Sequence, residues 1–97
     1  MAVEIQVESL GDHEHLVRVR EGAAEAETRI RVTDGVLDQP QITAAGADET
    51  RIVHETVAFL VERQPVIDIP PMIDLDDLAD AYGTPYLDDL GRRLTAR

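Results

Sequence analysis

The chain has no cysteine and no lysine among its 97 residues, and Ser9 is its single serine. Without cysteine there is no disulfide framework, no thiolate zinc site and no redox chemistry on sulfur. Without lysine there is no Schiff-base amine, and one serine leaves little material for nucleophilic catalysis. No apolar run approaches the roughly 18–20 residues that a membrane helix needs. Met1-Ala2-Val3-Glu4 lacks the basic start and apolar stretch of a signal peptide. The G-x-x-x-x-G-K-[ST], G-x-G-x-x-G and G-x-S-x-G patterns are missing as well, so phosphate cradles and the hydrolase elbow have no support. These absences predict a soluble cytoplasmic protein that is not an enzyme.

What the chain does have is acid. Nine arginines stand against 20 Asp and Glu, for a formal charge of −11. Affinity for nucleic acid or for anionic membranes rests on cationic side chains, so neither is an expected partner. A lysine-free, carboxylate-rich composition suits a salt-loving host or a GC-rich genome, and it also suits a nucleic-acid mimic or antitoxin-like inhibitor seated in a cationic groove. The length allows one domain, over residues 1–97.

The first 43 residues read as sheet. Val3, Ile5 and Val7 alternate with polar residues, as half-buried strands do, and point inward. After a break at Gly11-Asp12 the alternation resumes with Val17 and Val19 inward. After a second break at Gly22 it resumes with Thr28, Ile30 and Val32 inward. This predicts an antiparallel meander, with Val36–Thr43 as a fourth, edge strand because Pro40 lacks an N–H. On the outward face Arg18, Arg20, Arg29 and Arg31 come together. Such a face either pairs its charges with Glu4, Glu8, Glu21 and Glu27 at a few tenths of a kcal/mol each, or is covered by an anionic partner. That partner would be a carboxylate-rich segment of another protein or of a second copy of the chain.

The remainder reads as helix. Asp48 is placed to cap a helix over residues 48–64, in which Val53, Val57, Leu60 and Val61 form an apolar stripe widened by Ile52, Thr56 and Phe59, with Pro65 as the stop. Residues 65–73 are expected as an extended connector. Residues 74–94 are expected as two short acidic helices, one starting at Asp74 and closed by Gly83, the next opened by Thr84-Pro85 with Leu87, Leu90 and Leu94 on its face. Arg92, Arg93 and Arg97 suit the negative pole of that last helix. The segment 64–91 holds seven Asp and no basic residue.

The stretch Phe59-Leu60-Val61-Glu62-Arg63-Gln64-Pro65, followed by Ile69-Pro70, Asp77-Leu78 and Tyr82, resembles the C-terminal half of small uncharacterised prokaryotic proteins with an F-L-x-E-R-x-P segment, a D-L helix and a tyrosine. The resemblance covers the last third of the chain. It implies that helix, proline stop and second helix form a unit, and it implies no activity.

One local pattern suggests chemistry. His13 and His15, two apart on an extended strand, project to one side and could share a metal such as zinc, with His54 and Glu55 completing the site if the helix crosses the hairpin end. The Asp74-x-Asp76-Asp77-x-x-Asp80 run lacks the glycine and closing glutamate of a calcium loop and reads as helix-start carboxylates. The expected architecture is therefore a two-layer α+β domain: a meander of three to four strands followed by one longer and two short helices. The expected role is an interaction module, self-associating through a cationic sheet face and acidic C-terminal helices.

Overall fold

Val7, Val17 and Thr28 lie side by side on three successive antiparallel strands. The computed structural model describes residues 3–95, with β1 at Glu4–Gly11, β2 at Glu14–Glu21 and β3 at Ala24–Arg31. Inward side chains of this meander, among them Val17, Val19, Thr28 and Ile30, are buried, and their neighbours in sequence face solvent, as a one-sided sheet requires. Asp12 and His13 form the first hairpin turn in left-handed conformations, φ 51° and 65°. Such a two-residue loop matches the strand twist.

The expected edge strand at Val36–Thr43 is not formed. Asp34–Leu37 is a single helical turn, α1, and Pro40–Ala45 is a second short helix, α2, with Gln39 in extended geometry before it and Pro40 at its start. A proline costs nothing in a first turn, where its missing N–H has no helical acceptor, so the residue that argued for a strand edge opens a helix. Val36 and Ile42 turn into the core.

The fourth strand comes from the segment expected to be a plain connector. That segment contains a 3₁₀ turn at Val66–Asp68 and then β4 at Met72–Asp74, which lies parallel to β3 with Ile73 beside Ile30. The Arg29 N–H donates to the Pro71 carbonyl at 2.9 Å and ties the new strand to the sheet.

Helix α3 runs Glu49–Val61, inside the expected 48–64 span and ending three residues before its expected end. The Asp48 carboxylate accepts from the Arg51 N–H at 2.9 Å, which satisfies one free donor of the first turn. α3 crosses β1 and β2 with Ile52, Val53, Thr56, Val57, Phe59 and Leu60 buried. Helix α4, Leu75–Tyr82, is capped by Asp74 and closed by Gly83 at φ 68°. Helix α5, Thr84–Thr95, buries Tyr86, Leu90 and Leu94 against α2 and α3, with Leu87 at the margin. Arg92 and Arg93 sit in its last turn as expected; Arg97 lies outside the described residues. The chain's three aromatic rings join these helices: Phe59 meets Tyr82 and Tyr86 edge-on at 5.3 and 5.2 Å. The Arg63 guanidinium lies over the Phe59 ring, 3.5 Å from its centroid. Such contacts add about 0.5–1.5 kcal/mol each beyond area burial.

The result is α+β, with the meander as one layer and the helices as the other. Among the described residues no helix is long and apolar enough to cross a membrane.

Candidate functional site

Pairing register turns the outward residues into four rows across the sheet. Glu4, Arg20 and Glu25 form the first and Gln6, Arg18 and Glu27 the second. Glu8, Leu16, Arg29 and Met72 form the third, and Glu14, Arg31 and Asp74 the fourth. The four arginines thus share one exposed face, but six carboxylates stand among them, so the face is mixed rather than cationic. The meander itself supplies most of those acids, because neighbouring strands carry opposite charge at matched positions.

Three of the four guanidiniums are paired within the chain. Arg18 Nε donates to Glu27 at 3.1 Å, Arg20 to Glu4 at 2.6 Å, and Arg31 lies 3.6 Å from Glu14. The Glu4 carboxylate beside it holds the Arg20 guanidinium more firmly protonated than usual. Glu4 and Glu27 are partners read from the sequence; Glu14 and Glu25 take the places expected for Glu8 and Glu21. Arg29 differs. No carboxylate reaches its guanidinium within 4.0 Å among the described residues, and its cross-strand neighbours are half-buried Leu16 and Met72, 70% exposed. A depression of about 320 Å³ lined by Arg29, Arg31, Met72 and Asp74 opens beside it, and a second of about 450 Å³ lies over Arg18, Arg20, Glu25 and Glu27.

The three histidines do not come together. His13 sits in the hairpin turn, off the strand, while His15 on β2 is buried to 3% exposure. Both reach one carboxylate on the first turn of α3: His13 Nδ1 donates to Glu49 Oε2 at 2.5 Å, and His15 Nε2 donates to Oε1 at 3.2 Å. Burial works against ionising Glu49, but the two imidazole bonds outweigh it and hold the carboxyl below its ordinary range. The same bond to Glu49 raises the affinity of His13 for its proton, with Asp34 and Asp12 adding to the effect. This is a clip between hairpin and helix. His54, on α3, is exposed and lies 3.5 Å from Glu55 instead, so the structure does not bring it to the other two. Among the described residues no three His, Cys, Asp or Glu side chains are arranged to hold a metal ion. Glu49 was legible in the sequence only as a favourable charge at a helix start.

On the carboxylate side of the molecule, Asp74 and Asp76 are spent on α4: Asp74 accepts from the Asp76 N–H at 3.0 Å, and Asp76 accepts from the Thr33 hydroxyl at 2.6 Å. Asp89 pairs with Arg93 at 2.8 Å, and that bond lowers its pKa. These acids are structural groups of the helical layer.

No protein-family model, no curated protein and no solved structure compared with this chain matches it. What the protein does is therefore read from its own surface.

Proposed function

We propose that this chain is a small protein-interaction module whose working surface is the open outer face of the sheet. The observation that carries this reading is Arg29. It is the outward arginine left without a carboxylate by the strands around it, and it sits in a row with Leu16 and the strongly exposed Met72. An apolar pair flanking a cation fits a protein surface that offers a carboxylate to the guanidinium and an aliphatic group to its neighbours. The helices occupy the other face of the sheet, so nothing among the described residues covers this one. The acidic helices contribute solubility and steering rather than a second socket, since their best-placed carboxylates are already bonded internally.

The test places a photo-crosslinking amino acid at Met72, or at exposed Ala81 on α4 as control, in the native host. The expected result is an adduct from position 72 that disappears with Arg29→Glu and is absent from position 81. Equal adducts from both positions, or none from position 72, would overturn the proposal.

A further inference from the structure

We infer that the occupant of the outer face is a second copy of this chain, related to the first by a twofold axis running across the strands above the Val7–Val17–Thr28 row. The inference rests on the outer face being the working surface and names what covers it. Its basis is a sign inversion. Along β3 the outward residues are Glu25, Glu27, Arg29 and Arg31, two acids followed by two bases, with Thr28 at the midpoint. Along β2, whose direction is opposite, they are Glu14, Leu16, Arg18 and Arg20, with Val17 at the midpoint. Val17 and Thr28 are register partners, and Val7 is the partner of Val17 on β1. One line through those three residues is therefore the centre of charge inversion on β3, and on β2 for the outer pair Glu14 and Arg20, with Leu16 standing neutral opposite Arg18.

A twofold axis along that line sets each strand face to face with its own copy in reversed order. Glu27 then meets Arg29 of the second copy, Glu25 meets Arg31, and Arg20 meets Glu14, each twice by symmetry. Leu16 meets the aliphatic stem of Arg18, a contact that long charged side chains make readily. On β1, Gln6 faces Glu8. No like charges are opposed at any of these positions, and Arg29 gains the carboxylate that its own chain does not supply. The alternative axis, along the strands through β2, would place Arg18 on Arg18 and Arg20 on Arg20 and is disfavoured.

Charged residues dominate the paired positions and Leu16 and Met72 are the apolar ones, which fits a weak, reversible dimer. Two chains of formal charge −11 also repel each other at long range, so salt screens both the attraction and the repulsion, and charge reversal is the sharper probe. The experiment is sedimentation equilibrium of the full chain at about 0.15 M salt and up to about 1 mM protein, concentrations suited to weak contacts. The proteins compared are wild type, Glu27→Arg, Arg29→Glu and the double variant. Wild type is expected to dimerise, each single reversal to weaken the dimer by about tenfold or more, and the double variant to recover it. Mixing the two single variants should give a heterodimer, because every contact between position 27 of one chain and position 29 of the other then joins a base to an acid. Neither recovery can come from misfolding. A wild-type chain that stays monomeric, or a dimer indifferent to all three variants, or a double variant as weak as the singles, would overturn the twofold pairing. Monomeric wild type together with a position-72 adduct to a different protein would sink the self-pairing and leave the wider reading of the face standing; loss of that adduct sinks the wider reading itself.

Discussion

The hydroxyl of Thr56 on α3 lies 2.9 Å from the hydroxyl of Tyr86 on α5, and both residues are fully buried. Burial pushes the Tyr86 phenol up to about 12, with the Thr56 bond acting in the opposite direction, so the tyrosine is neutral near pH 7. Tyr86→Phe removes one partner only and is expected to cost about 1–2 kcal/mol, because the threonine hydroxyl is left in a dry site. Thr56→Val with Tyr86→Phe removes both, and should be less destabilised than the single variant. Urea unfolding of the three proteins reads the difference; a double variant weaker than Tyr86→Phe would mean that the bond is not what couples the helices.

The clip of His13 and His15 on Glu49 makes stability depend on pH in a defined direction. His13 holds its proton more tightly when folded, so its contribution is complete below its ordinary value of 6.5 and is lost as pH rises through the higher folded value. Glu49 is more acidic when folded, so its contribution is present above its ordinary value of 4.5 and is lost as pH falls through the lower folded value. The clip is therefore fully engaged between those two ordinary values. Thermal unfolding should show the wild-type Tm falling from about pH 6 to pH 8 relative to His13→Gln, which lacks the titrating partner. Parallel curves for the two proteins would contradict this.

Gly91 on α5 is a packing requirement rather than a hinge. A Cβ there would meet Gln41 Cβ of α2 at 2.9 Å and the Gln41 carbonyl oxygen at 3.3 Å. Alanine gains about 1 kcal/mol of helix propensity over glycine, yet forcing the two helices apart costs about 1–3 kcal/mol. Gly91→Ala is expected to lower stability by about 1 kcal/mol net. Denaturant melts settle it, and a stabilised variant would show that α2 can move aside.

Added salt should stabilise the fold. The formal charge of −11 is held within a radius of gyration of 12.5 Å, so self-repulsion is spread over the whole molecule, while the exposed ion pairs of the sheet are screened by solvent and contribute little. Raising NaCl should raise Tm; a fall would mean that the pairs outweigh the repulsion.

Much of this architecture was legible in the residues, and the reason is local periodicity. Alternation in Val3 to Val7, His15 to Arg20 and Thr28 to Val32 needs no distant partner to be read, nor does the Asp48 cap or the Thr84-Pro85 start. The misreading at Val36–Thr43 arises where the run is short: a few apolar residues around Pro40 fit a strand edge and a first helical turn equally well, and only Val36 and Ile42 finding the core decides. β4 was illegible because Met72-Ile73-Asp74 is a strand solely by virtue of Ile30 beside it. The candidate site divides in the same way. That Arg18, Arg20, Arg29 and Arg31 share a face follows from parity, but which arginine lacks a partner follows from register, and that His13 and His15 close on Glu49 follows from where α3 crosses.

β4 joins β3 in parallel only after the chain has passed through α1, α2 and α3. A polypeptide cut in the loop before Asp48 would therefore yield two pieces, neither complete: a meander trailing α1 and α2 with its β3 edge bare, and a remainder of α3, α4 and α5 carrying an orphan strand. Neither piece should persist alone, but co-expressed they should reassemble, with Ile73 docking beside Ile30 as the seam.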